Sequence, residues 1–394
     1  MSKIKFGVIG IGVMGSYHAS YLSEGQIADA ELTAVCDVKQ NRLDWAKSAY
    51  GASVATYLNA EDLINSGVDA VIISTPHFFH PVYAEIALNR GLNVLCEKPA
   101  GVCVKQLEKV NTAAKNSNRA YAIMHQLRTS PLYIKANELV KNGSVGDIQR
   151  INWIVTNWFR DQAYYDFGNW RATWAGEGGG VLMNQCSHNL DLWQWICGMP
   201  SSVMAFCLFG RHHNIEVEDD VTAYMEYKNG ATGVFITSTA DKPGTNRLEI
   251  TGDKGKLMIE DSKLSFWKLN TSTKPFLRDS SVKGAIKCEY FEFENADIAE
   301  HQAITQNFVA NILRGEPLIA PGVDGMNSTA LCNAMYLSSW TNRKISFPIN
   351  SDEVWSEFQK RITSSSHKNT ESNFHRDSAK EFNGLSTEKK SYMK

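Results

Sequence analysis

Apolar positions fall along this chain in two rhythms. Up to about residue 127, short runs rich in Val and Ile at 4–9, 31–36, 69–74, 92–96 and 120–124 alternate with segments of 3.6-residue periodicity. Runs apolar throughout suit strands buried on both faces, so this half predicts a parallel sheet covered by helices on either side. From about 148 strand-like runs follow one another, at 148–157, 202–209, 220–227, 231–239, 246–251, 256–259 and 286–292. Turn signals such as Lys228-Asn229-Gly230 and Gly252-Asp253-Lys254-Gly255 separate them, as hairpins require. Helices are expected at about 180–197, 298–314 and 327–342. The pattern predicts an α/β protein of two domains: 1–127, doubly covered and parallel, and 128–350, an α+β unit with an open, mostly antiparallel sheet. Residues 351–394 read as a polar C-terminal tail, rich in Ser, Lys, Asn and Glu from 363, with a short terminal helix as the alternative.

Composition narrows the class. A chain of 394 residues exceeds one ordinary core. A formal charge of −2 gives no signal for nucleic acid or an acidic membrane surface. No apolar run approaches the ~20 residues of a membrane-spanning helix. A first strand starting at the third residue leaves no room for a cleavable secretory signal. Eight cysteines, none in a C-x-x-C pair, lie largely in apolar patterns, which points to buried reduced thiols and a cytoplasmic protein.

The first strand, Lys3 to Ile9, runs straight into Gly10-Ile11-Gly12-Val13-Met14-Gly15. This G-x-G-x-x-G spacing between strand and helix is that of a dinucleotide-binding turn, in which the third glycine lets helix and strand pack closely. Ile11, Val13 and Met14 lie in that turn, and the helix N-terminus offers free N–H groups to phosphate. The second strand ends in Asp37, 22 residues past Gly15, where a ribose-binding acid is expected.

Three further stretches carry candidate chemistry. Glu97-Lys98-Pro99 follows a strand, which puts Lys98 at the carboxyl edge of the sheet, where open α/β sheets bind ligands. A lysine there can hydrogen-bond a substrate hydroxyl and stabilise the alkoxide that precedes hydride departure. Thr75 and Pro76 end another strand in the same way, and His80 near the next helix start reads equally as nucleotide contact or capping residue. The densest stretch runs from Asn169 to Asp191. Three glycines, Gly178 to Gly180, lead into an apolar helical run in which Asn184, His188 and Asp191 would share one face. His188 titrates near neutrality and suits proton transfer, against the alternative of a satisfied core histidine. Metal binding is disfavoured, because Asn is a poor transition-metal ligand and no Cys pair helps. Asp191 reads as structural. Trp170 and Trp174 flank Arg171 in a glycine-bounded loop and are candidates for a ligand-facing wall, while Trp193 and Trp195 read as helix core.

In these motifs the chain resembles the Gfo/Idh/MocA oxidoreductases, over about residues 3–350. The resemblance implies an N-terminal Rossmann domain, a C-terminal open-sheet domain, bound NAD(H) or NADP(H), and a homodimer or homotetramer. It implies a sugar, cyclitol or sugar derivative as substrate. Carried over, Lys98 is the lysine of the E-K-P motif and His188 the acid/base of the D-x-x-x-H motif. Asn184 stands where many members carry an aspartate, so its part is confined to hydrogen bonding. Glu97, Gln126 and Arg171 join the expected cofactor contacts, and Gln126 and Arg128 are placed where members line nicotinamide and substrate. Asp37 favours NAD(H), since a carboxylate repels a 2′-phosphate, and Lys39 keeps NADP(H) open. The reading is a dehydrogenase or reductase of CH–OH groups. Its alternatives are an NAD-dependent glycoside hydrolase working by transient sugar oxidation and a non-catalytic nucleotide-binding regulator.

Overall fold

A computed structural model describes residues 3–168, 170–296 and 300–366. The first sheet has six strands, Ile4–Ile9 (β1), Ala30–Cys36 (β2), Ala55–Tyr57 (β3), Ala70–Ile73 (β4), Asn93–Cys96 (β5) and Tyr121–Ile123 (β6), in the order β3-β2-β1-β4-β5-β6. Every pair in it is parallel. Phe6, Val8 and Ile9 of β1 and all four residues of β4 are buried, as a sheet with helices on both faces demands. The order reverses between β1 and β4, and the glycine turn after β1 opens at that switch point.

The second sheet has nine strands: Ile148–Val155 (β7), Ser202–Phe209 (β8), Glu218–Glu226 (β9), Thr232–Ser238 (β10), Asn246–Gly252 (β11), Gly255–Glu260 (β12), Lys263–Leu269 (β13), Cys288–Glu294 (β14) and Ile345–Ser346 (β15). Only β7 and β10 pair in parallel. One face is dry: Ile151, Trp153 and Val155 of β7 and Val221, Ala223 and Met225 of β9 pack in one core with residues of the helices Ser187–Cys197 and Gly325–Thr341. The other face shows Ile154, Phe206 and Tyr224 to solvent.

Two boundaries differ from the pattern's prediction. The chain returns to the first domain late: Ile304, Phe308 and Val309 of the helix Glu300–Arg314 pack in the core that contains Phe6 and Val8. The polar segment from 351 opens on a helix, Ser351–Ser364, because Val354 and Phe358 recur at i and i+4 and are buried in the second core. The remainder of that expected tail, 367–394, lies outside the described residues. Cys36, Cys96, Cys103, Cys186, Cys207 and Cys332 are buried free thiols, Cys197 is half-buried and Cys288 exposed. No described helix is long and apolar enough to cross a membrane.

Candidate active site

The turn after β1 is shaped for close approach. Gly10 has φ +85°, and a Cβ on Gly15 would lie 1.8 Å from the Gly10 carbonyl oxygen, so neither position accepts a side chain. A Cβ on Gly12 would meet nothing within 4 Å, and Gly12 caps the helix Val13–Ser23 without any side-chain hydrogen bond. The turn thus presents free N–H groups to open space. At the adjacent end of β4, Ser74 Oγ and Thr75 Oγ1 are buried without a hydrogen-bond partner among the described residues. Unpartnered buried donors beside an open glycine fit a dinucleotide phosphate. Asp37 follows β2 directly and accepts from the backbone N–H groups of Ile11 (3.1 Å) and Lys39 (3.0 Å), which places its carboxylate beside the turn. Arg42, absent from the sequence reading, donates to the Ile11 carbonyl and to Ser16 Oγ and so clamps the same turn.

At the end of β5, Glu97 and Lys98 face different partners. Glu97 is buried and accepts from His18 Nε2 at 2.7 Å; His18 Nδ1 meets Tyr21 Oη at 2.6 Å, which meets Thr305 Oγ1 at 2.7 Å. Burial pushes the Glu97 carboxyl up, but the His18 hydrogen bond and neighbouring positive charge prevail and hold it at about 2. Glu97 therefore braces the strand end. Lys98 Nζ reaches across to the second domain and donates to the backbone oxygen of Asn184 (2.9 Å) and its Oδ1 (3.3 Å). Burial lowers the Lys98 pKa, Arg171 and Arg160 add to the fall, and Glu97 and Glu177 oppose it.

Asn184 does not share a helix with His188. The expected helix at 180–197 begins at Ser187, because Glu218 captures the segment before it. Its carboxylate accepts from Gly180 N (2.9 Å) and Leu182 N (2.8 Å), and its backbone oxygen from Val181 N (3.0 Å). The bond from Cys186 N to the Val181 oxygen spans five residues and breaks helical register. Asn184 sits in that wide turn, within reach of Lys98. His188, on the helix proper, is buried with Nε2 3.3 Å from Gln126 Nε2 and Nδ1 unpartnered among the described residues. Burial first, then Lys98, His125 and His301, push its pKa well below the ordinary value, so the ring is neutral at pH 7. Lys98, His188, Asn184 and Gln126 thus meet at one place beside the glycine turn's sheet edge.

Other predicted contacts have different uses. Arg128, placed on the substrate by the sequence reading, is 1% exposed and fully committed: it grips Asp191 through two bonds and reaches Asp324. Asp191 is structural, as expected. His80 sets its two ring nitrogens 2.7 Å from backbone oxygens, of Pro99 and Thr75, and its N–H donates to one of them, so the ring sits between the ends of β4 and β5 rather than facing a nucleotide. Trp174, expected as a ligand wall, packs instead among Phe209, Tyr336, Trp340 and Phe358. Trp170 stays at the site, half-buried, with its ring 5.2 Å from His77 and the Arg171 guanidinium 4.7 Å above it. Trp193 is core, as expected. No group of three His, Cys, Asp or Glu among the described residues is arranged to hold a metal.

Two residues outside the sequence reading complete the site. Tyr164 Oη accepts from Arg171 Nη1 (2.7 Å) and Gln185 Nε2 (3.0 Å). Glu177 is a buried carboxylate that accepts from Ala172 N (2.6 Å) and Asn184 Nδ2 (2.5 Å). The only signal for it was its place directly before Gly178. A separate cleft of about 690 Å³, lined by Met199, Tyr227, Met326 and Phe347 among others, contains none of these groups.

A parallel sheet with an open glycine turn at its switch point, facing a lysine and a neutral histidine, defines a dinucleotide-dependent oxidoreductase. The chain belongs to the Gfo/Idh/MocA family: residues 4–125 match its oxidoreductase, NAD-binding Rossmann-fold model, and residues 133–258 match its C-terminal domain model. It is 25% identical over 331 residues to the myo-inositol 2-dehydrogenase of Thermotoga maritima, covering 82% of this chain and 92% of that one. It is 24% identical over 351 residues to the inositol 2-dehydrogenase of Rhizobium meliloti, covering 87% and 99%. Among solved structures, the WlbA dehydrogenase from Bordetella pertussis, in complex with NADH and UDP-GlcNAcA, superimposes with a TM-score of 0.73 at 26% identity, over 88% of this chain and all of that one. The cofactor is NAD-type.

Proposed function

We propose that this protein moves a hydride between NAD(H) and a secondary alcohol of a sugar, cyclitol or sugar derivative. The observation that carries the reading is the meeting of Lys98 and a neutral His188 beside the open glycine turn. Bound NAD+ supplies the hydride acceptor; Gly10 to Gly15 and Asp37 would hold it, with Ser74 and Thr75 at hand for its polar groups. Lys98 donates to the substrate oxygen and stabilises its negative charge. His188, in the tautomer protonated at Nδ1, takes the hydroxyl proton at Nε2 once the substrate hydroxyl has displaced the Gln126 amide from that nitrogen. Trp170 gives the ring an apolar face. The named relatives and the sugar-nucleotide complex support a polyol or sugar substrate.

Exposed Ile154, Phe206 and Tyr224 on the open face of the second sheet support a homodimer or homotetramer built through that face. Buried thiols support a reducing, cytoplasmic setting.

The test is NADH formation from NAD+ with a panel of free sugars, inositols and aryl glycosides, beside Lys98→Ala and His188→Ala, with released aglycone measured in the same wells. Stoichiometric NADH that both variants abolish is the expected result. Aglycone release without NADH would make the protein a hydrolase, and silence from a protein that binds NAD+ would leave a regulator.

A further inference from the structure

Glu177 belongs to none of the motifs named above. Its side chain is buried, yet both oxygens are in use: Oε2 accepts from Ala172 N at 2.6 Å and Oε1 from Asn184 Nδ2 at 2.5 Å. The second bond fixes which way the Asn184 amide points. With Nδ2 turned to Glu177, Oδ1 is left for the Lys98 ammonium at 3.3 Å, beside the Asn184 backbone oxygen at 2.9 Å. Arg171 pairs with Glu177 Oε1 at 3.8 Å while donating to Tyr164 Oη at 2.7 Å, so its charge favours the ionised carboxylate without taking the place of the Asn184 amide.

We propose that Glu177 is a positioning residue for Lys98, acting through Asn184: its carboxylate orients the amide, and the oriented amide seats the ammonium. The dependence is chemical. A glutamine at 177 puts an NH2 donor in place of one of the two acceptor oxygens of the carboxylate. Ala172 N–H is main chain and cannot turn, so the glutamine oxygen stays there and its NH2 faces Asn184. The Asn184 amide then flips, offering Oδ1 to the glutamine and Nδ2 to Lys98. A donor now meets a cation. Changing Asn184 to aspartate in the same molecule repairs the mismatch, since one aspartate oxygen accepts from the glutamine and the other from Lys98. Asn184→Asp alone sets two carboxylates at hydrogen-bond distance, where they share a proton. The charged and titratable groups about Lys98 are Glu97, Glu177, Arg171 and Arg160, with His77, His80, Cys186, His188 and His301 close by. Of these, the double change E177Q/N184D leaves all but Glu177 in place.

The inference rests on the oxidoreductase reading for its meaning in turnover, so the test has a readout that needs no substrate. Competitive labelling of Lys98 with an amine-reactive reagent, read by mass spectrometry across pH, is compared in wild type, E177Q, N184D and E177Q/N184D, each with its thermal melt. Loss of the seated ammonium in E177Q is expected to raise Lys98 labelling below its transition by about threefold or more. The double variant brings it back to the wild-type curve or below it, because N184D sets a carboxylate against the ammonium. In the NADH assay E177Q is expected to lose about tenfold or more in kcat with KM for NAD+ unchanged, and the double variant to regain most of it. An unchanged labelling curve in E177Q, or a double variant no nearer to wild type than E177Q, overturns the proposal. If E177Q does not fold, the double variant decides, because it keeps every donor opposite an acceptor: wild-type labelling supports the pairing and failure to fold overturns it. A labelling shift in a protein that oxidises nothing on the panel sinks the dehydrogenase reading and leaves the Glu177–Asn184–Lys98 chain standing.

Discussion

Arg128 grips Asp191 with two parallel hydrogen bonds, Nε to Oδ2 at 2.8 Å and Nη2 to Oδ1 at 2.6 Å, and both side chains are 1% exposed. Its remaining nitrogen reaches Asp324 Oδ2 at 2.8 Å, so one guanidinium joins the segment after β6, the helix that carries His188, and the approach to Gly325–Thr341. Arg128→Ala would leave the buried Asp191 carboxylate without its guanidinium, held only by Gln194 at 3.1 Å and beside His125, which costs about 3–5 kcal/mol. Urea unfolding should show that loss, with Arg128→Lys recovering little of it because an ammonium cannot match the fork. A loss below about 1 kcal/mol would return Arg128 to the substrate.

The glycine turn separates folding from binding. Gly15→Ala forces a Cβ onto the Gly10 oxygen and is expected to lower Tm by several degrees or prevent folding. Gly12→Ala meets no atom of the chain and has φ −67°, so Tm should hold while the Kd for NAD+ rises about tenfold or more. Thermal melts with NAD+ titration check both; equal affinity for wild type and Gly12→Ala would move the phosphate elsewhere.

Trp174 distinguishes a core from a ligand wall. Its neighbours are Tyr336, Trp340 and Phe358, so Trp174→Ala should cost about 3–5 kcal/mol in urea unfolding and leave substrate KM unaltered. A raised KM in a fully stable variant would be the opposite result.

Glu97 contributes an acid limb to the stability curve. Its carboxyl is held at about 2 against an ordinary 4.5, so the folded state holds on to its charge. That stability is fully present above pH 4.5 and is lost as pH falls toward 2. Burial holds His125 and His301 at about 4 against 6.5 and pushes His77 and His188 well below it, so each adds a loss as pH falls below 6.5, while Glu218 and Glu300, pushed up to about 7 by burial, act in the opposite sense between 7 and 4.5. Tm measured from pH 7 to 2 should therefore keep falling below 4.5, and Glu97→Gln should flatten the limb between 4.5 and 2 while leaving the limb above 4.5 in place. Parallel curves for the two proteins would deny Glu97 the role.

What the amino-acid sequence reveals follows from how local each cause is. β1 and its turn were legible because apolar runs and glycine spacing act within a dozen residues. β13 was not: the hairpin before it turns through Asp261 and Ser262, both with positive φ, and carries no glycine to mark it. Lys98 and His188 could be named from type and placement. The helix that was to join Asn184 to His188 was undone by Glu218, a residue whose approach depends on the second sheet. Arg128 and Glu177 depend on partners far along the chain or across a turn, and their roles appear only once the acids and amides they meet are known.

The helix Glu300–Arg314 closes the first core with Ile304, Phe308 and Val309, although β1 to β6 are complete by Ile123. During synthesis the nucleotide-binding half must therefore wait, with the apolar face around Phe6 and Val8 uncovered, while β7 to β14 leave the ribosome. A nascent chain in that state resembles a folding intermediate with exposed apolar surface, the kind that chaperones retain. The half of the molecule encoded first is completed only after most of the second sheet has been made.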